Sequence, residues 1–262
     1  MVSSLNLELA RLNMIEQHIR PWEVLDPAVL NLLAVVKRED FVPPAYRAMA
    51  FVDTQVPLPG GQCMLEPRVE ARLLQELQVQ RHERVLEIGA GSGFMAALLG
   101  HRAQQVTTLE CDETLAKMAA DNLQRAGLSN VRVRRVSPTE GPRGLPGDAP
   151  FDVIVLSGSV AEVPHALLEQ LKVGGRLVAI VGDEPIMRAR LFKRAGDAAW
   201  SETDLFDTVA PRLRGFDRGS RFVFGAGPMR SCPLPFVGDI GRRKRRRLQV
   251  VAIRRHPPRP AV

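Results

Sequence analysis

Three glycines at alternate positions, Gly89, Gly91 and Gly93, follow Val85-Leu86-Glu87-Ile88 and open a helical stretch. Glycine tolerates the tight turn of such a junction and puts no Cβ in the path of a ligand that must approach the backbone. Dinucleotide-binding turns are related, but they use G-x-G-x-x-G spacing and hold a phosphate at the helix N-terminus. Here position 94 is Phe94, and an acid, Glu87, stands two residues before the first glycine. An acidic, glycine-lined turn suits a ligand without phosphate but with a charged amino-acid end. Glu110 closes the next apolar run, Val106-Thr107-Thr108-Leu109. A carboxylate there can accept hydrogen bonds from both ribose hydroxyls of an adenosine group. It could instead cap the helix beginning near Glu113, and a tight turn can exist without a ligand. The joint presence of turn and acid at this spacing favours the ligand.

No other constellation competes for chemistry. His18, His82, His101, His165 and His256 are scattered and read as surface or helix-end residues, and Cys63 as a loop or half-buried thiol. Cys63, Cys111 and Cys232 have neither CxxC pairing nor histidine partners at zinc spacing, so no disulfide framework and no metal site is expected, and a cytoplasmic location fits. Glu8, Arg11, Glu16 and Arg20 interrupt any signal-peptide core, and no apolar run approaches the roughly 18 residues of a membrane span. The formal charge of +7 is uneven: residues 226–262 hold ten Lys/Arg and one acid, leaving 26 basic and 28 acidic residues upstream. Basicity is therefore a property of the tail, where Arg242-Arg243-Lys244-Arg245-Arg246-Arg247 could contact nucleic acid weakly through phosphates. Without interleaved aromatic residues for stacking, a solvated disordered tail is the favoured reading.

The elements that must position the turn and the two acids follow from periodicity. Apolar residues from Leu5 to Ile19 recur at helical steps up to Pro21, and Asp26-Pro27 starts a second helix. Phe41 to Gln62, rich in Pro and Gly, reads as an ordered loop with one short extended piece, followed by a helix over 67–77. Short apolar runs then alternate with helical stretches, the pattern of βα units on a parallel sheet. Strands are predicted over 85–88, 106–109, 131–136, 153–156 and 176–181, with helices over 95–99, 113–126 and 164–171. A helix over 187–194 and strands over 203–209 and 221–224 complete the pattern. The expected organisation is N-terminal helices and a loop over 1–78, a ligand-binding α/β domain over 79–225, and a basic tail over 226–262.

Beyond the glycine turn, Asp26-Pro27, Arg38-Glu39-Asp40-Phe41-Val42-Pro43, Ala45-Tyr46, Gly61-Gln62, Pro67, Phe151-Asp152 and Leu171-Lys172-Val173-Gly174-Gly175-Arg176-Leu177-Val178 occur in order. This set resembles the protein-L-isoaspartate O-methyltransferase family over roughly residues 8–224. The resemblance implies a doubly wound, mostly parallel Rossmann-like α/β sheet of the S-adenosylmethionine-dependent methyltransferase type with an N-terminal helical extension. It implies S-adenosylmethionine as cosubstrate, and a damaged protein or peptide bearing an isoaspartyl carboxylate as acceptor. The residues it assigns to the cofactor are Glu87, Gly89, Gly91, Gly93, Glu110, Cys111 and Ser137. The acceptor-loop candidates are Cys63, Met64, Leu65 and Pro67, with Ser157 from the Ser157-Gly158-Ser159 segment after the fourth strand. Because a carboxylate is already an ionised nucleophile, proximity and orientation supply most of the acceleration and no general base is obligatory.

Two departures bear on the acceptor and the adenine. The family's Thr-Ile-Ser-x-Pro after Gly-Gln is here Cys63-Met64-Leu65-Glu66-Pro67, so a hydroxyl becomes Leu65 and Glu66 adds a charge that would repel an anionic acceptor if it points inward. Val136-Ser137-Pro138 replaces Gly-Asp-Gly after the third strand, which loses a charge-assisted contact worth on the order of 1 kcal/mol. Three alternatives remain: a different methyl acceptor, a noncatalytic cofactor-binding protein, and a nucleic-acid-associated protein. Oligomeric state is not legible in the sequence.

Overall fold

A computed structural model describes residues 4–217. The basic run, the apolar island at 248–253, Cys232 and the strand expected over 221–224 lie outside the described residues. The first helix, α1 (Ser4–Met14), runs on through a π-helical turn, Ile15–Ile19, and a 3-10 turn, Arg20–Trp22, that ends with Glu23 at φ 61°. Helix α2 (Pro27–Val35) starts as its sequence predicts, with the Asp26 carboxylate accepting the Ala28 N–H at 2.8 Å and Pro27 in the first turn.

The Pro/Gly-rich segment holds short 3-10 turns and a small antiparallel ladder, β1 (Val56–Pro57) with β2 (Cys63–Met64), whose tip is the turn Pro59–Gly61. Helix α3 (Pro67–Leu77) follows with Pro67 at its first position. The alternating region gives β3 (Arg84–Ile88), α4 (Phe94–Arg102), β4 (Gln105–Glu110), α5 (Glu113–Arg125), β5 (Val131–Arg135), β6 (Phe151–Val160), α6 (His165–Glu169) and β7 (Leu171–Asp183). The hairpin β8 (Ile186–Gly196) and β9 (Ala199–Thr208) extends the sheet. Strand order in this seven-stranded sheet is β5-β4-β3-β6-β7-β8-β9, parallel from β5 to β7 and antiparallel for β8 and β9. The chain winds outward from β3 to β5, then returns to the other side of β3 as β6. That reversal opens a crevice at the carboxyl ends of β3, β4 and β6, where ligands bind in open α/β sheets.

Alternation along the central strands sorts the core into two layers. Val85, Val153 and Val155 join the cluster that contains α1 to α4, whereas Leu86, Ile88, Ile154 and Leu156 join the cluster on the opposite face with Leu167, Leu213 and Phe216. The first cluster takes residues from both sides of position 78, from Met14 to Ala210. Glu87 shares the parity of Val85, so its side chain is directed toward the face that the N-terminal helices cover.

One predicted element is overturned. Residues 187–194 form β8, not a helix. Met187 and Leu191 fit a helical step, but Met187, Ala189 and Leu191 are buried together at period two, while Arg188 and Arg190 face outward. There they pair with Asp204 and Asp207, and with Glu202 and Asp204, across β9. The helix predicted over 164–171 is shorter, because Leu171 already pairs with Phe151 and the predicted turn at 173–175 becomes a register shift within β7, with Gly174 at φ 84°.

Candidate active site

At the crevice the turn after β3 is stitched to β4. Gly89 and Ala90 donate N–H bonds to the Leu109 carbonyl at 2.9 and 3.1 Å, and Gly91 donates to Glu110 Oε2 at 2.9 Å. Glu110 Oε1 accepts from Cys111 and Asp112 N–H at 2.8 and 3.0 Å, so the carboxylate is oriented by backbone from both sides. Capping of α5 is left to Asp112, whose Oδ1 accepts from Thr114 and Leu115 N–H. The capping alternative for Glu110 is thereby corrected to its neighbour, and the Glu110 carboxylate reaches the cleft.

The cleft encloses about 810 Å³ counted out to its open mouth. Of the sequence-predicted residues, it is lined by Cys63, Met64, Leu65, Glu87, Gly89, Gly91, Glu110, Cys111, Ser137 and Ser157. Gly93 and Pro67 are absent from its lining. Gly93, at φ 87°, is the residue before α4, and a Cβ there would come within 3.2 Å of the Ala119 backbone, so it serves the close approach of α4 to α5. Pro67 starts α3. Ser137 sits exposed at the rim, with its hydroxyl 3.1 Å from Thr139 Oγ1 and its N–H donated to Glu140.

Glu87 is fully buried. Burial pushes its carboxyl up to about 8, opposed by the Ser157 hydroxyl, which donates to Oε1 at 2.6 Å, and reinforced by the charges of Glu70 and Glu110. Its second oxygen, Oε2, makes no hydrogen bond of good geometry among the described residues, and neither does the buried Thr108 hydroxyl, which still pulls the carboxyl down as Ser157 does. A buried acceptor without a good partner, below a turn that excludes side chains, is a place for a ligand donor. Cys63 is not a nucleophile here: burial and the neighbouring Glu66 and Glu70 push its thiol up to about 11, and its Sγ donates to Gln55 Oε1 at 3.1 Å. Burial also raises the thiol of Cys111.

The acceptor-loop side of the cleft is held from below. Arg38 is buried, pairs with Glu70 of α3, donates from Nη2 to the Leu65 carbonyl at 2.8 Å, and lies 4.8 Å from the Phe94 ring centroid. Burial pushes Glu70 up to about 7 against the pull of Arg38. Glu66 does not line this cleft. It faces a second groove with Trp22, Arg68 and Val209, and Gln55 Nε2 donates to its Oε1 at 3.3 Å.

Sequence reasoning missed the roof. After β9 the segment 210–217 doubles back over the crevice, bonded to Ser159 through Ser159 N–H to the Pro211 carbonyl (2.7 Å) and Leu213 N–H to the Ser159 carbonyl (2.9 Å). Leu213 fills the space that a Cβ would take at Gly89 and Gly158, its Cδ2 lying 2.6 and 2.8 Å from those positions. Gly215, at φ 86°, passes so close to Pro138 that a Cβ would lie 1.9 Å from its carbonyl oxygen. Leu213, Arg214 and Phe216 thus line the cleft from a segment whose sequence carries no motif. Apolar walls from Ile88, Leu109, Leu115 and Val136 complete a lining whose chemistry suits an adenosine bearing a charged amino-acid end.

A profile of the protein-L-isoaspartate(D-aspartate) O-methyltransferase family matches residues 10–209. A Rhodopseudomonas palustris protein named protein-L-isoaspartate O-methyltransferase is 41% identical over 203 residues, covering 77% of this chain and 92% of the relative. One of the same name from Koribacter versatilis is 38% identical over 199 residues, covering 76% and 88%. Among solved structures, a protein-L-isoaspartate O-methyltransferase superposes with a TM-score of 0.66 at 25% identity, over 78% of this chain and 67% of the other. A Plasmodium falciparum protein described as a protein-L-isoaspartate O-methyltransferase, solved with S-adenosyl-L-homocysteine, gives 0.63 at 19% identity over 80% and 98%, and shows the shared fold.

Proposed function

The chain belongs to the protein-L-isoaspartate(D-aspartate) O-methyltransferase family, a family of S-adenosylmethionine-dependent protein-repair enzymes, and from that premise we propose how its cleft carries methyl transfer to an isoaspartyl carboxylate. The observation that carries the proposal is the single cleft in which the Gly91–Glu110 junction meets the β1–β2 hairpin. When bound, S-adenosylmethionine supplies an electrophilic methyl group on a sulfonium. Glu110 would accept the ribose hydroxyls, Gly91 would admit the amino-acid end to the backbone, and Oε2 of Glu87 would accept its ammonium. Ser137, Cys111 and the apolar walls would flank the adenine. On the other side the hairpin, with Leu65 held by Arg38, would orient the acceptor's carboxylate toward the methyl group. Segment 210–217 excludes water from the crevice. No residue has to take a proton, since the nucleophile arrives ionised.

No helix among the described residues is long and apolar enough to cross a membrane. The free thiols Cys63 and Cys111 support a reducing compartment, which we take to be the cytoplasm. The basic tail would add at most a weak, salt-sensitive contact with nucleic acid. The test is incubation with labelled S-adenosylmethionine and a matched pair of isoaspartyl and aspartyl peptides. Label in the isoaspartyl peptide alone is expected. Label in neither, with cofactor binding retained, refutes the assignment.

A further inference from the structure

We propose that Arg214 binds the carboxylate of the incoming acceptor, a proposal that rests on the carboxyl-methyltransferase reading above. Bringing an anion into this cleft poses an electrostatic problem: the charged side chains that line it are Glu70, Glu87, Glu110 and Arg214, and Arg214 is the one base among them in the described residues. The guanidinium is held at the cleft by two contacts. Its Nη1 donates to Asp112 Oδ2 at 3.1 Å, and its Nη2 to the Gly60 carbonyl at 2.7 Å.

Both supports are themselves fixed. The other oxygen of Asp112 is committed to the first turn of α5, and Gly60 sits at the tip of the hairpin at φ 70°. A guanidinium carries five N–H donors in a planar fork, so two contacts leave donors over for a ligand. The backbone that carries Arg214 is locked as well, by Leu213 wedged over Gly89 and Gly158 and by Gly215 pressed on Pro138. A pre-oriented guanidinium loses little freedom on binding, and its fork matches a carboxylate.

Two carboxylates enter the cleft, that of the acceptor and that of the cosubstrate's own amino-acid end. Arg214 bridges both sides, through Asp112, beside Glu110, at 3.1 Å and through Gly60 of the hairpin at 2.7 Å, and the shorter bond, to the hairpin, assigns it to the acceptor. The experiment's two arms separate these sources.

Calorimetry with the full chain saturated in S-adenosylhomocysteine would compare an isoaspartyl peptide with the same peptide whose free α-carboxylate is replaced by a carboxamide. Wild type is expected to prefer the carboxylate by about tenfold or more, the ratio of one charge-assisted contact. Arg214→Met should abolish that preference and raise KM for the isoaspartyl peptide by a similar factor, with Arg214→Lys in between. S-adenosylhomocysteine affinity should stay within about twofold in both variants, since Glu110 keeps its backbone bonds from Gly91, Cys111 and Asp112 when the contacts of Arg214 to Asp112 and Gly60 are lost. If the preference survives in Arg214→Met, the side chain is only a clasp between loops and the proposal is overturned. Weakened S-adenosylhomocysteine binding with the preference intact overturns it in favour of the cosubstrate's carboxylate. A wild type that binds neither peptide, or both equally, also overturns it. Should Arg214→Met fail to fold, Arg214→Lys carries the comparison, and an unchanged preference there together with an unchanged KM counts against the proposal. A wild type that prefers the carboxylate peptide but does not methylate it refutes the proposed function while leaving the role of Arg214 standing.

Discussion

Glu87→Gln should stabilise the protein, and by more the higher the pH. The carboxyl is fully buried, with Oε1 bonded to Ser157 and Oε2 without a hydrogen bond of good geometry, and burial lifts it from 4.5 to about 8. The linkage has a definite sign. Below pH 4.5 folded and unfolded chains both hold the proton. Between 4.5 and about 8 the unfolded chain releases it and the folded chain does not, so stability falls as pH rises through that window. Each pH unit is worth about 1.36 kcal/mol, so the whole window amounts to roughly 5 kcal/mol at most. Glutamine keeps the shape and an acceptor for Ser157 but holds no titrating proton. Between about pH 5.5 and 7.5 the variant should gain roughly 3 kcal/mol on wild type, a widening of about 6–10 °C in Tm for a chain of this size. Glu70, raised to about 7, gives both proteins a downward slope of its own, so the difference between the two curves reports Glu87 together with its coupling to Glu70. Urea unfolding of both proteins across this range is the assay. Parallel curves with a constant offset would refute the burial argument.

Two further substitutions probe the two halves of the cleft. Gly91→Val places a branched side chain at φ 53°, 3.3 Å from Leu58 Cδ1, and should remove S-adenosylhomocysteine binding; calorimetry finding equal affinity in wild type and variant would overturn the assignment of the turn. Arg38→Met leaves Glu70 buried without its partner and should cost about 3–5 kcal/mol at pH 8 but less at pH 5, where Glu70 is protonated. Adding Glu70→Leu should recover much of the loss, and urea midpoints at the two pH values decide the matter.

What the sequence made legible is what is local. The glycine turn and Glu110 announce themselves because a strand, a tight turn and the end of the next strand must meet in one place, and the Gly91–Glu110 bond is that meeting. The central parallel strands β3 and β6 could be read because they are buried on both faces, and the edge strand β5 because valine and arginine alternate along it. Residues 187–194 were misread because four apolar and four polar residues satisfy periods of 2 and 3.6 at once, and only the partner strand, with Glu202, Asp204 and Asp207, decides between them. The roof could not be read at all. Arg214 reaches Asp112 and Gly60 across sequence separations of 102 and 154 residues, and no local pattern encodes such a contact.

The acceptor half shows why charges counted in a sequence mislead about charges in a site. Glu66 in the acceptor loop predicts repulsion of an anion if it points inward. In the structure Glu66 turns into the neighbouring groove, where Gln55 meets it. Of the acids that do line the cleft, Glu70 and Glu87 are pushed toward neutrality by burial, to about 7 and about 8. The substitution of serine by Leu65 changes a side chain, while its carbonyl stays fixed by Arg38. An anionic acceptor therefore meets much less negative charge than the residue types suggest, and beside the hairpin it meets a guanidinium supplied from the far end of the fold. The cation that a carboxyl acceptor needs comes from the segment after β9, where no family motif pointed.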